Sequence, residues 1–276
     1  MTMEAINLKE HYPSLSSGTL TPLILPYPYD ESGIAWKRPA IIVVPGGAYA
    51  MTSKREGLII ASRFISEGFQ TFVLDYGCSP KHVYPEQVKE LGCAIDYLKK
   101  HADEYHLNAN EIFALGFSAG GHLVGDLAME ENDFLKEHGL DIDCKLKGIG
   151  LIYPVISSSF SYRGTHENLL KGLDNKEELL EKLSLHDHIH VGQPAAFIAT
   201  SSLDQSVPPE NSIYYALALK RCKIPFELHV FPSGFHGFSD ASEEINLNFK
   251  HDPLDENIKL WPHMCANFFK RFCAEK

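Results

Sequence analysis

Six short apolar runs, rich in β-branched or aromatic residues, recur along the chain at Ala40 to Val44, Thr71 to Asp75, Ile112 to Gly116, Gly148 to Tyr153, Ala196 to Thr200 and Phe226 to Phe231. Runs this short and this continuous are the mark of strands buried on both faces. Between several of them lie segments of helical spacing, such as Val88, Leu91, Ile95 and Leu98, with Lys89, Lys99 and Lys100 on the other side. Strand, helix, strand is the repeating order. It predicts an α/β class with a mostly parallel central sheet and helices on both faces, because parallel neighbours need a crossover connection. A chain of 276 residues has enough core for this without disulfides or a structural metal, burying roughly three quarters of its unfolded surface.

Three segments stand outside the rhythm. Thr19 to Leu25 is extended, ends in the Pro26, Tyr27, Pro28 cluster and is expected to pair at a sheet edge. A last helix, about Glu256 to Phe272, offers Ile258, Trp261, Cys265, Phe268 and Phe272 to the core. Ile156 to Gly192 carries three serines, Phe160, Tyr162 and a charged helical piece from Lys176 to Leu183, and reads as a small cap insertion over one end of the sheet. No internal repeat or linker-like composition shift divides residues 1–276, which are therefore read as one domain.

Several partner classes are excluded. No apolar run approaches the ~20 residues that cross a bilayer, and Met1 to Glu10 holds no apolar stretch or cleavage site of a secretion signal. The expected address is cytoplasmic. The six cysteines are scattered without a C-x-x-C pair, as reduced packing thiols are. With 25 Lys and Arg against 36 Asp and Glu, the net charge of -11 repels nucleic-acid phosphates and anionic lipid. Homo-oligomer formation is left open.

Chemistry enters at Gly116-Phe117-Ser118-Ala119-Gly120, which matches G-x-S-x-G, the sharp strand-to-helix turn that lifts a serine hydroxyl above a sheet. A strand run precedes it, and His122, Leu123, Val124, Leu127 and Ala128 continue as a helix. A plain glycine-rich turn or a phosphate loop at a helix N-terminus is the alternative, but neither G-x-G-x-x-G nor a P-loop lysine is present. A serine nucleophile requires an imidazole base, and the base requires a carboxylate that fixes its tautomer. Asp204 follows the run Ala196 to Thr200, and His236 follows Phe226 to Phe231. Asp204 alone could equally cap a helix, and His236 alone could be a loop residue. Loops after parallel strands share one end of the sheet, so Ser118, Asp204 and His236 are expected to converge.

Tetrahedral intermediates also need hydrogen-bond donors aimed at the oxyanion. Pro45-Gly46-Gly47-Ala48-Tyr49 follows the first strand run, as oxyanion loops do, although by itself it could be a plain Pro-Gly turn, and the N–H of Ala119, next to the nucleophile, completes the set. These segments, with Leu203 to Pro208 and Gly234 to Phe238, resemble the α/β-hydrolase superfamily. The nearest resemblance is to its acetyl-xylan-esterase-like and hormone-sensitive-lipase-like carboxylesterases, and it covers the chain from about Ala40 onward. It implies Ser118 as nucleophile, His236 as base, Asp204 as orienter, and the N–H groups of Gly47, Ala48 and Ala119 as oxyanion donors. Pro45 stands where the family often has His, and Ala48 where it often has a third Gly, which affects loop shape rather than reaction type.

The function so implied is a serine carboxylesterase acting on short acyl esters, acetyl first, with a small molecule or an acetylated sugar or oligosaccharide as substrate. No cofactor and no metal are expected. The rivals are a serine peptidase of the prolyl-oligopeptidase kind and a noncatalytic hydrolase-fold binding protein. Tyr49, Phe117, Phe235 and Phe238 flank the catalytic positions and are expected to wall the substrate pocket, with packing in the core an equal alternative for Phe117, and with Phe160, Tyr162 and Arg163 of the insertion as further candidates that could instead face solvent. His186-Asp187-His188-Ile189-His190 is the most metal-like run, but it reads better as a polar loop before a strand.

Overall fold

A computed structural model describes residues 4–26, 36–129, 132–247 and 255–274. Its strands are β1 (Ile6–Asn7), β2 (Thr19–Leu23), β3 (Arg38–Val44), β4 (Gln70–Asp75), β5 (Leu107–Phe117), β6 (Gly148–Ile152), β7 (Ala195–Ser201) and β8 (Phe226–Phe231). The α-helices are α1 (Leu8–His11), α2 (Leu58–Ser66), α3 (Glu86–Lys100), α4 (Ala119–Met129), α5 (Asn132–Glu137), α6 (Arg163–Leu169), α7 (Lys176–Lys182), α8 (Glu210–Arg221), α9 (Glu243–Leu247) and α10 (Trp261–Lys270). The strands form one sheet in the order β1-β2-β4-β3-β5-β6-β7-β8. From β4 to β8 every pairing is parallel.

The apolar runs of β3 to β7 are strands because both faces of the sheet are covered there, whereas the run Phe226 to Phe231 forms the edge strand β8, which is mostly half-buried and not covered on both faces as its apolarity suggests. Ala40 to Val44 of β3 have no exposure. Their side chains divide by parity, as the two-residue period of a strand demands. Ala40, Ile42 and Val44 join one core cluster, and Ile41 and Val43 join the other. Helices α3, α4 and α8 cover the first face through Val88, Leu91, Ile95, Leu123, Val124 and Leu219. Helices α2 and α10 cover the second through Ile60, Phe64, Trp261, Cys265 and Phe269. Each large side chain so removed from water contributes about 1.5–3 kcal/mol.

Two expectations about the ends need correction. The segment beginning at Thr19 pairs antiparallel with β4 but is not the edge, because β1 pairs on its far side, Ile6 opposite Leu20. A two-residue strand is too short for alternation to reveal. Tyr27 and Pro28 lie outside the described residues. The last α-helix is also shorter than Glu256 to Phe272, spanning Trp261–Lys270 with Pro262 in its first turn, where the missing N–H is harmless.

Topology decides where a site can form. Strand β3 lies between β4 and β5, so the chain winds outward to β4 and then crosses back through α3 to β5. A crevice opens beyond the C-terminal ends of β3 and β5 at this reversal. The insertion between β6 and β7 reaches over that end. Asn168 Nδ2 of α6 donates to the Ala48 carbonyl at 2.9 Å, and the Leu169 carbonyl accepts the Tyr84 N–H at 2.9 Å. Among the described residues no helix is long and apolar enough to cross a membrane.

A buried acid in α3 gives the fold a pH dependence. Glu90 accepts the Ser17 hydroxyl and the Gly77 N–H at 2.7 Å, yet burial outweighs these bonds and pushes its carboxyl up to about 7. Below the ordinary value of 4.5 folded and unfolded chains both hold the proton, and stability falls as pH rises from there to about 7. The full cost above pH 7 is about 3 kcal/mol. Glu90→Gln keeps an acceptor for Gly77 and a donor that the Ser17 hydroxyl can accept. The variant is expected to melt higher than wild type at pH 8 and to lose that advantage at pH 5. An equal melting temperature at pH 8 would contradict the burial argument.

Candidate active site

Ser118 sits between the end of β5 and the first turn of α4 with φ +50°. The flanking glycines are required by contact. A Cβ on Gly116 would lie 2.3 Å from the Gly120 carbonyl oxygen, and one on Gly120 would lie 2.2 Å from that of Val44. The strained turn is held by its backbone. The Ser118 N–H donates to Ile152 at 3.0 Å, and its carbonyl accepts from His122 and Val155, each at 3.1 Å.

The three distant candidates meet. Ser118 Oγ lies 2.9 Å from His236 Nε2, and His236 Nδ1 lies 2.7 Å from Asp204 Oδ2. The carboxylate is fully buried at the side chain. Its other oxygen accepts the N–H groups of Ser206 at 3.0 Å and Val207 at 2.9 Å. Asp204 therefore closes a turn and does not cap a helix; α8 begins behind Pro209. With Asp204 as acceptor, Nδ1 carries the ring proton and Nε2 is left to accept from the serine hydroxyl. The His236 loop is tied down where Ser201 Oγ donates to the Gly234 carbonyl at 2.8 Å.

The loop after β3 presents N–H groups because its carbonyls are occupied elsewhere. Pro45 accepts from Tyr76 Oη at 2.9 Å, Gly46 from Ser53 at 2.9 Å, Gly47 from Ala50 at 3.0 Å and Tyr49 from Ser79 at 2.8 Å. In trans peptide units the N–H opposes the preceding carbonyl, which turns the N–H groups of Gly47 and Ala48 away from these anchors. No acceptor among the described residues takes the N–H of Gly47, Ala48 or Ala119. A Cβ on Gly47, at φ +128°, would meet the Met51 carbonyl at 2.1 Å, while Ala48 tolerates φ +52°.

Ser118, His236, Gly47 and Ala48 line one cavity of about 290 Å³, with Met51, Arg55, Glu56, Tyr162, Thr165, Ser206 and Val207 among its other walls. The expected aromatic walls are not there. Tyr49 is 1% exposed and gives its hydroxyl to His122 Nδ1 at 2.9 Å. Phe117 packs on Trp261 and Tyr153, and Phe238 packs on Tyr153; both are fully buried. Beside a sharply turned residue the neighbouring side chain points the opposite way, into the core. Tyr162 of the insertion does reach the cavity, Arg163 lines a neighbouring one, and Phe160 packs toward Tyr214. Sequence reasoning missed Met51, Glu56, Thr165 and Ser206, which no local pattern marks.

His122 anchors rather than reacts. Its Nε2–H donates to the Leu183 carbonyl at 3.0 Å, and burial pulls its pKa down to about 3, so it stays neutral. Burial lifts the thiols of Cys78 and Cys93 to about 12, so neither supplies a thiolate near neutral pH. The histidines of the run from His186 to His190 disperse. His188 Nε2 lies against the Glu181 carbonyl and His190 Nε2 against that of Met129. No group of ligating side chains suited to a metal ion occurs among the described residues.

A parallel sheet wound outward from a reversal point, carrying a serine on a tight strand-to-helix turn, defines an α/β-hydrolase fold. Residues 29–219 match the BD-FAE family profile, and the chain belongs to that family. It is 34% identical over 217 residues to endo-1,4-beta-xylanase B of Butyrivibrio fibrisolvens, covering 76% of this chain and 34% of that protein. It is 28% identical over 270 residues to an acetylxylan esterase of Xylanibacter ruminicola, covering 95% of this chain and 52% of that protein. The chain thus spans from about a third to about half of these relatives. Among solved structures, an acetyl ester-xyloside bifunctional hydrolase from Caldicellulosiruptor lactoaceticus superposes with a TM-score of 0.82 at 30% identity, covering 97% of this chain and 96% of that one. A carboxylesterase from Lactobacillus plantarum superposes with a TM-score of 0.86 at 25% identity over the whole of both chains.

Proposed function

We propose that the chain is a serine carboxylesterase acting on short acyl esters, acetyl above all, of sugars or oligosaccharides. The observation that carries this reading is the file of Ser118 Oγ, His236 and Asp204, joined at 2.9 and 2.7 Å and open to a cavity of about 290 Å³. Ser118 attacks the ester carbonyl while His236 Nε2 takes its proton. The N–H groups of Gly47, Ala48 and Ala119 receive the negative charge that develops on the carbonyl oxygen. His236 then returns the proton to the departing alcohol, and water cleaves the acyl-enzyme by the same groups. The chemistry uses side chains and backbone alone and needs no cofactor.

The substrate class is supported by cavity size and by the relatives. The cavity is at the lower end of small-molecule sites, roughly 300–1,000 Å³, which suits a small acyl group and a sugar-sized alcohol better than a long-chain lipid. An acetylxylan esterase and an acetyl ester-xyloside hydrolase are among the similar proteins. The test is a panel of nitrophenyl esters from acetate to octanoate, acetylated xylo-oligosaccharides and an aminoacyl anilide. Expected are highest kcat/KM on acetate, a fall of at least about tenfold by octanoate, acetate release from the oligosaccharides and no anilide cleavage. Faster turnover of the anilide than of the ester would transfer the site to a peptidase, and absence of any turnover would favour a binding protein.

A further inference from the structure

One buried carboxylate joins the two loops whose spacing the reaction depends on. Glu56, 3% exposed, accepts the Gly46 N–H through Oε2 at 2.8 Å and the Tyr153 hydroxyl through Oε1 at 2.8 Å. Tyr153 Oη in turn accepts the Ser239 N–H at 3.1 Å. Ser239 lies three residues beyond His236, and its own hydroxyl donates to the Arg55 carbonyl at 2.6 Å, closing a ring back to Glu56. Trp261 Nε1 fixes the Ser239 carbonyl from beneath at 2.8 Å. The Tyr153 ring stands edge-on to the His236 imidazole, with centroids 5.2 Å apart.

We infer that Glu56 and Tyr153 are positioning residues, a clamp that holds the oxyanion loop and the His236 loop at the separation that the tetrahedral intermediate requires. This rests on the esterase reading above. The chemistry of the clamp calls for a carboxylate. Both partners of Glu56 donate to it, Gly46 through its N–H and Tyr153 through its hydroxyl proton, while the tyrosine oxygen accepts from Ser239. A carboxylate satisfies two donors, whereas an amide has one acceptor and presents N–H groups at the other position. Tyr153 is held at φ +38°, a conformation that costs a non-glycine residue stability and persists where the surroundings impose it. Gly46 precedes Gly47, so a shift of its N–H carries the first oxyanion donor with it. A displacement of this kind weakens binding of the charged intermediate more than binding of the ester, and so separates kcat from KM.

The test uses the full chain as wild type, Ser118→Ala, Glu56→Gln, Tyr153→Phe and the Glu56→Gln/Tyr153→Phe pair. The readouts are kcat and KM on nitrophenyl acetate and inhibition by a trifluoromethyl ketone, which forms a tetrahedral oxyanion adduct. Glu56→Gln is expected to lower kcat about 100-fold, to change KM less than about threefold and to weaken the ketone by a factor close to the kcat loss. The double variant is expected to recover part of that loss, because a phenyl ring no longer aims a donor at the amide and the amide oxygen can turn to Gly46. Parallel loss of kcat and KM, or losses that simply multiply in the double variant, would overturn the clamp. Should Glu56→Gln not fold, Tyr153→Phe decides. A kcat within about twofold of wild type overturns the clamp, and a loss of about tenfold or more with unchanged KM supports it. Undiminished activity in Ser118→Ala would instead strike the esterase reading itself, and the two failures are therefore distinct.

Discussion

Ser118→Ala is expected to lower kcat on nitrophenyl acetate by on the order of 10⁴ to 10⁶, about 5–8 kcal/mol of lost barrier reduction, while the melting temperature stays close to that of wild type. The substitution removes one oxygen and nothing that holds the turn. The bonds fixing the turn run through backbone atoms of residue 118, donating to Ile152 and accepting from His122 and Val155. An alanine keeps all three. Its backbone at φ +50° is no more strained than Ala48 already is at φ +52°. What disappears is the hydroxyl that the proposed mechanism acylates. His236 and Asp204 then remain hydrogen-bonded to each other at 2.7 Å with nothing to deprotonate. Residual activity should be what the oxyanion donors and binding alone provide. A loss of less than tenfold in kcat, measured on protein with unchanged circular dichroism, would show that another group carries the reaction.

The middle of the sheet was legible because its strands are buried on both faces. Ala40 to Val44 and Ala196 to Thr200 could be read as strands from continuous apolarity alone, and both have helices on each side. The meeting of Ser118, Asp204 and His236 was legible for a related reason: each follows such a run, and parallel strands bring their C-terminal loops to one edge. The walls of the cavity were not. Adjacency in sequence pointed to Tyr49, Phe117 and Phe238, but a chain that turns one side chain into the crevice turns its neighbours into the core. Met51, Thr165 and Ser206 line the cavity instead, brought there by the oxyanion loop, the insertion and the loop after β7. Glu56 was silent for a different reason: a carboxylate bonded to a backbone N–H and a tyrosine hydroxyl leaves no spacing rule behind.

Asp204→Asn is expected to lower kcat by about 10⁴ with little change in stability, and the hydrogen bonds say why. Asp204 Oδ1 accepts two backbone N–H groups, from Ser206 and Val207, and only an oxygen can occupy that position. In the amide variant the oxygen must therefore stay on the turn, and the NH2 group falls where Oδ2 now accepts from His236 Nδ1. Two donors cannot face each other at 2.7 Å. The imidazole escapes by moving its proton to Nε2, which leaves Nδ1 to accept from the amide. Nε2 then points a hydrogen at Ser118 Oγ, 2.9 Å away, and can no longer take the serine proton. The fold loses no bond, yet the base is in the wrong tautomer. Raising the pH should restore part of the rate, as hydroxide takes over deprotonation of the serine, and the variant's rate should climb more steeply than wild type above neutrality. A variant that keeps more than about a tenth of wild-type kcat with a parallel pH profile would mean that Asp204 does not set the tautomer of His236.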